Sequence, residues 1–248
     1  MLAIVATGCG DGGAEPTTTT RAPLPDAIPV VVDTDVAIDD LVALAFLLAS
    51  EKVDVRAITI SGTGEVRCPA GIGVVQALLA RTGDKGVRVA CGRSTPLEGA
   101  HEFPAEWRDA ADSGWGVLVP TASPEAPPAV ELLIDKVEQG VTLLTLGPLT
   151  NVADAFRSDG ALAGRVESIV VMGGAIDVTG NVTDPALDAA QSEWNVYVDP
   201  TAASEVFASG APVLLVALDA TNQVPITQAF LERLARNSRT PANALVTE

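Results

Sequence analysis

The sequence reads as an α/β protein, a mostly parallel sheet flanked by helices. Short apolar, β-branched segments recur along the chain. Ala/Leu-rich segments of helical length separate them. Strands that alternate with helices in this way are joined by right-handed crossovers into a parallel sheet. With 248 residues, the chain is long enough to bury a sizeable core.

Each element has its own signal. Ile28 to Val32 is a continuous apolar run, suited to a strand buried on both faces. Residues 39–50 read as a helix, 53–60 as a strand, 70–82 as a helix and 87–90 as a strand. Residues 93–128 lack clean periodicity and hold Pro, Trp and the only histidine, His101; they read as a long excursion over one face. Helix 129–138, strand 141–146, short helix 151–157, strand 168–172, helix 201–209 and strand 213–218 follow. Binding sites in such sheets lie at the carboxyl ends of the strands.

Composition narrows the chemistry. Lys and Arg total 15 against 32 Asp and Glu, a net charge of −17. Such a surface repels phosphate backbones, so nucleic acid is excluded as a partner. Apolar residues at 48% exclude a disordered chain. Three cysteines are too few for a disulfide scaffold, and one histidine argues against His-rich metal sites and a Ser-His-Asp triad. Cys68 and Cys91 follow different strands and read as free buried thiols, and His101 as a surface-loop histidine. The acids are left to carry the chemistry.

The N-terminus reads as a processing and anchoring segment. Residues 1–9 end in Ala6-Thr7-Gly8-Cys9, which resembles a bacterial lipobox with Cys9 as the lipidated residue. Residues 10–27 are rich in Gly, Thr, Pro and Ala and read as a flexible tether to a domain over 28–248. The expected location is extracytoplasmic, held at the membrane only through the lipid.

Asp33, Asp35, Asp39 and Asp40 follow the first strand within eight residues. Four carboxylates this close repel one another unless a cation or a polyhydroxyl ligand sits among them. Asp39 and Asp40 also open a helix, where N-capping explains an acid; capping does not explain Asp33 and Asp35 at the end of a buried strand. Oxygen ligands without a His or Cys cluster point to Ca²⁺ or Mg²⁺. After the fourth strand, Leu146-Gly147-Pro148 makes a turn that leaves carbonyls free. After the fifth come Asn181, Glu193 and Asn195, hydrogen-bonding residues suited to sugar hydroxyls.

These residues carry a resemblance. In order along the chain stand Asp-Thr-Asp-x-x-x-Asp-Asp, Leu-Gly-Pro-Leu-Thr-Asn, Val-Met-Gly-Gly, Gly-Asn-Val, Glu-Trp-Asn-Val-Tyr-Val-Asp-Pro and Val-Ala-Leu-Asp-Ala-Thr. The series, over about residues 29–225, resembles the inosine/uridine-preferring nucleoside hydrolases, which implies a Rossmann-like core. It also implies Ca²⁺-dependent hydrolysis of the bond between ribose and a base. Asp35 matches the acid that ligates calcium and takes a proton from its water. Asp40 and the Leu146 carbonyl match further calcium ligands. Asp39, Asn181, Glu193 and Asn195 match residues that hold the ribose, and Asp33 matches a supporting acid. The implied partner is a nucleoside or related riboside; self-association and base preference are left open.

The sequence departs from the family pattern in three places. Val36-Ala37 stand where the family has Pro-Gly. Ser61-Gly62-Thr63-Gly64-Glu65 stand where a Gly-Asn pair is common. Family members continue well past the point matching Glu248, into a part with a final Asp ligand and often a His acid. The expectation is weak calcium binding and poor turnover for these 248 residues, with a riboside-binding lipoprotein of impaired catalysis as the alternative. A phosphatase of the haloacid dehalogenase type, suggested by Asp33-x-Asp35, leaves the Gly-Asn-Val and Trp-Asn-Val-Tyr segments without a role.

Overall fold

A computed structural model describes residues 26–84, 86–120, 126–236 and 240–247. Cys9 and nearly all of the tether lie outside these residues. Six strands form one sheet: β1 (Ile28–Thr34), β2 (Val53–Ile60), β3 (Arg88–Cys91), β4 (Thr142–Thr145), β5 (Ser168–Met172) and β6 (Val213–Val216). Every pairing is parallel, in the order β3-β2-β1-β4-β5-β6. The helices are α1 (Ile38–Ala49), α2 (Cys68–Thr82), α3 (Ala105–Asp112), α4 (Ala129–Lys136), α5 (Thr150–Ser158), α6 (Trp194–Val198), α7 (Pro200–Ala208), α8 (Leu218–Thr221), α9 (Gln228–Arg236) and α10 (Pro241–Val246). Among the described residues, no helix is long and apolar enough to cross a membrane.

The continuous apolar character of β1 follows from burial on both sides. Val30 and Val32 pack with Leu44, Leu48, Ile72 and Leu78 of α1 and α2 and with Leu245 of α10. Val31 points the other way, into a second core with Leu132 of α4, Val152 of α5 and Val206 of α7. Alternation along the strand thus feeds two helical layers. The strand order reverses between β1 and β4, so the crevice at their carboxyl ends is the sheet's switch point.

The excursion holds more order than its pattern suggests. Residues 105–112 are helical, and a single 3₁₀ turn spans Gly114–Gly116. Part of its hold on the body is polar, which hydrophobic periodicity does not register, while Ala111 and Leu118 join the core around α1 and α2. Arg67 pairs with Asp109 and Asp112, the buried Arg108 donates to the Gly62 carbonyl at 3.1 Å, and Trp115 Nε1 donates to the Val36 carbonyl at 3.0 Å. The strand expected over 213–218 stops at Val216, because the Leu218 N–H turns to the Gly174 carbonyl at 2.9 Å.

The expectation of free thiols is corrected: Cys68 and Cys91 form a disulfide, their Cα atoms 5.7 Å apart. The two cysteines do follow different strands, but those strands are neighbours. Ile60 at the end of β2 pairs in register with Cys91, and α2 begins just beyond β2 at Cys68. Both side chains therefore meet at one edge of the sheet.

Candidate active site

Asp33 and Thr34 are completely buried because β1 is the strand between β2 and β4. Asp33 Oδ1 accepts from Thr59 Oγ1 at 2.6 Å and from Asn151 Nδ2 at 2.8 Å. Its Oδ2 is buried without a partner. Burial pushes this carboxyl up to about 7, against the lowering effect of the two hydrogen bonds. Asp33 therefore lies under the site as a support and does not line it.

The next residues turn sharply. Val36 has φ +60°, a left-handed conformation that costs a residue with a side chain about 1–2 kcal/mol. Two bonds hold it there: its N–H donates to Thr34 Oγ1 at 3.0 Å, and its carbonyl accepts from Trp115. The turn lifts Asp35 into a slot between two glycines. A Cβ on Gly147 would come within 2.8 Å of the Asp35 Cβ, and one on Gly64 would overlap the Asp35 side chain outright. Asp35 Oδ2 accepts the Glu65 N–H at 3.1 Å. Asp39 and Asp40 then open α1, where the helix dipole favours anions. Asp40 is 5% exposed and accepts from Thr34 Oγ1; Asp39 is exposed.

The other half of the sheet supplies the opposite wall. Leu146 leaves β4 with its N–H on the Asp33 carbonyl, and its own carbonyl accepts from Asn195 Nδ2 at 2.8 Å. That carbonyl keeps a second lone pair. Glu193 caps α6, accepting from the N–H groups of Asn195 and Val196, and from Gly174 N–H at 2.9 Å. Asn181 Oδ1 accepts the Trp194 N–H at 2.9 Å.

Asp35, Asp39, Asp40, Leu146, Asn181, Glu193 and Asn195 line one cleft, with room for about 150 Å³ of solvent. Glu65, Phe103, Trp107, Met172 and Trp194 complete the lining, and no Lys, Arg or His is among these residues. The acids therefore face one another without a counter-charge. Burial, then the negative charge of Glu65, raises Asp35 to about 8; burial, then Asp35, raises Asp40 well above the carboxylate range. Phe103 and Trp107 pack around Trp194, with ring centroids 5.1 and 5.6 Å from it. His101 is exposed and stacks on Tyr197.

A family model described as inosine-uridine preferring nucleoside hydrolase matches residues 30–248. The chain belongs to this family. Among its relatives, a probable uridine nucleosidase of Oryza sativa is 36% identical over 218 residues, 85% of this chain and 62% of the rice protein. A pyrimidine-specific ribonucleoside hydrolase of Salmonella arizonae is 36% identical over 228 residues, 90% of this chain and 70% of that protein. The chain thus spans under two thirds of the rice relatives' length. Among solved structures, a plant nucleoside hydrolase superposes with a TM-score of 0.78 at 36% identity, covering 90% of this chain and 69% of that one. An inosine-uridine preferring nucleoside hydrolase from Bacillus anthracis gives 0.74 at 27%, covering 88% and 74%.

Four residues of this nucleoside hydrolase family member that build the site were given no role from the sequence. Thr34, Thr59 and Asn151 anchor Asp33 and Asp40, and Glu65 lines the cleft. The hydroxyls and the amide look like ordinary strand and helix residues. Glu65 had a usable signal, since it lies just beyond the carboxyl end of β2.

Proposed function

We propose that the protein hydrolyses the N-glycosidic bond of ribonucleosides, releasing ribose and the free base, with calcium bound at the cleft. The observation that carries this reading is the convergence of Asp35, Asp39 and Asp40 with the Leu146 carbonyl in one cleft that has no basic side chain. Family membership and the names of the relatives support the reaction class.

The donor set fits a hard, oxygen-seeking cation. Asp35 and Asp40 are buried acids in need of positive charge, and the Leu146 carbonyl is a neutral oxygen beside them. Among the described residues, no group of three or more His, Cys, Asp and Glu side chains is arranged to hold a metal. The remaining oxygens of a six-to-eight-coordinate ion would come from water and substrate, about half the shell. When bound, calcium supplies positive charge that lowers the pKa of a nearby water.

The chain's own residues do the rest. Asp35 takes the proton from the attacking water as the general base of the cleft. Asp39, Asn181 and Asn195 hold the sugar hydroxyls. Glu193 keeps Asn195 and the Gly174 turn in place through its backbone bonds. As the C1′–N bond breaks, its electron pair leaves with the base, which takes a proton from solvent, the water oxygen bonds to C1′, and the surrounding carboxylates stabilise the positive charge that develops on the ribose. Phe103, Trp107 and Trp194 give an apolar wall at the same cleft.

The test is calorimetric titration with Ca²⁺ together with ribose release from inosine, uridine and cytidine. Turnover that chelation abolishes and calcium restores is expected. Asp35→Asn should lower kcat by at least about 10²-fold, the scale of general base catalysis. A folded protein that binds neither calcium nor a riboside would sink the reading. We further propose lipid anchoring at Cys9, supported by the lipobox-like sequence. Cys9→Ser should then move the protein from the membrane to the soluble fraction of its cells, and unchanged fractionation would refute anchoring.

A further inference from the structure

Glu65 has no part in the reaction just described, yet the structure gives it an unusual position. It ends the loop that follows β2, and that loop is pinned on every side. Ser61 N–H donates to the Thr34 carbonyl at 2.8 Å, and Val66 N–H to the Asp35 carbonyl at 3.0 Å. Ser61 Oγ donates to the Pro148 carbonyl at 3.0 Å, and Arg108 holds the Gly62 carbonyl. The backbone N–H of Glu65 itself is fixed on Asp35. The side chain is 9% exposed and lines the cleft, but its Oε2 is buried with no hydrogen-bond partner.

A buried carboxylate oxygen without a donor is rare in folded proteins, because its lost hydration is not replaced. Here the surroundings worsen its position: Asp39 and Asp40 both act on Glu65 as like charges. A rigid loop that holds a carboxylate in such a place is suited to a ligand that brings the missing donor. A cation shared with Asp35 and Asp40 is the first alternative. The calcium affinity of Glu65 variants, measured below, separates that alternative from a contact to the sugar. A neutral O–H donor from the ligand answers the same need, since it supplies the hydrogen bond that Oε2 lacks.

We infer that Glu65 is a sugar-positioning residue, whose Oε2 accepts a hydrogen bond from one hydroxyl of the bound riboside. The inference rests on the nucleoside hydrolase reading of the cleft and adds a contact to it. Glu65 forms no bond to a reacting atom. Its contribution is to orientation, and it is sensitive to which hydroxyls the substrate carries.

The experiment compares uridine with its 2′-deoxy, 3′-deoxy and 5′-deoxy counterparts, on the full chain in calcium, by kcat/KM and by calorimetric affinity. Wild-type protein should lose about 10- to 100-fold on one of the three, the range for a hydrogen bond to a charged acceptor. Glu65→Ala should lower uridine by the same factor and leave that one analogue unchanged, closing the ratio to within about threefold. Glu65→Gln keeps an acceptor oxygen and should recover part of the loss. Circular dichroism and calcium affinity accompany each variant.

An equal fall on all four substrates in Glu65→Ala means a structural role and overturns the inference. So does a loss of calcium affinity beyond about 100-fold with the hydroxyl ratios intact, which would make Glu65 a cation ligand. If Glu65→Ala fails to fold, Glu65→Gln decides: wild-type discrimination in that variant at full activity overturns the inference, and a narrowed ratio at one hydroxyl supports it. A folded wild-type protein that binds calcium but no riboside overturns the inference along with the reading beneath it. Riboside binding with unaltered ratios in the variants overturns the inference alone.

Discussion

Asp33 keeps one carboxylate oxygen bonded to Thr59 and Asn151 and leaves the other without a partner. With Asp33 and Glu65 raised to about 7 and Asp35 to about 8, the folded protein holds protons that the unfolded chain releases near pH 4. The sign follows directly. These groups favour the fold fully below about pH 4, and that contribution is lost as pH rises through 7 to 8. In chelator, Tm should therefore fall between pH 5 and pH 8, and Asp33→Asn should flatten the slope and raise Tm at pH 8. A scanning fluorimetry series in the two proteins checks this; identical slopes would refute it. Gly64 is constrained by the same acid, because a Cβ there would occupy the space of the Asp35 side chain. Gly64→Ala should cost at least about 2 kcal/mol in denaturant unfolding, in the range of overpacked cores, and should weaken calcium binding. Wild-type stability and affinity in the variant would contradict the packing. At this scale the sequence was most informative about charge. Acids crowded after a buried strand announce a site whatever their partners. The partners themselves were illegible, since Thr59 and Asn151 differ from any strand or helix residue only by where the fold brings them.

The strands and long helices were legible because two physical periods announce them: burial on both faces makes β1 uniformly apolar, and α1 and α2 carry their apolar residues at helical spacing. Short helices escaped. α6 spans five residues and exists through the Glu193 cap, and α8 spans four, too few for a period to show. The excursion escaped for a different reason. Its polar anchors, through Arg67, Arg108 and Trp115, and the core contacts of Ala111 and Leu118 are made across long sequence separations. The disulfide between α2 and β3 closes a segment of 23 residues beside the Glu65 loop. Closing a loop of this size restricts the unfolded chain and contributes about 3 kcal/mol. Reduction, or paired Cys68→Ser and Cys91→Ser substitution, should lower the unfolding free energy by roughly that amount in urea titrations. An unchanged midpoint would show that the bond adds nothing to stability.

A net charge of −17 makes the whole molecule repel itself. Raising choline chloride from 0.01 to 0.1 M shortens the screening length from about 30 to about 10 Å, so Tm should climb over that interval. A bulky organic cation separates screening from occupancy of the acidic cleft; a flat response would mean that surface repulsion is too weak to matter.

The strand order that puts the cleft at the β1/β4 boundary also divides its ownership along the chain. Asp35, Asp39, Asp40 and Glu65 come from the first third of the sequence, whereas Leu146, Asn181, Glu193 and Asn195 arrive after residue 145. On the ribosome, the acids emerge well before the wall that faces them, and at about 5–20 residues per second the interval lasts several seconds. During that time β1 has β2 beside it and an open edge where β4 will pair. A nascent chain in this state offers a strand edge beside a cluster of negative charges, and the edge is not covered until the fourth strand is threaded in. Synthesis order therefore leaves the acidic half of the future cleft beside an open strand edge until β4 emerges, a natural place for a chaperone, or a premature aggregate, to take hold.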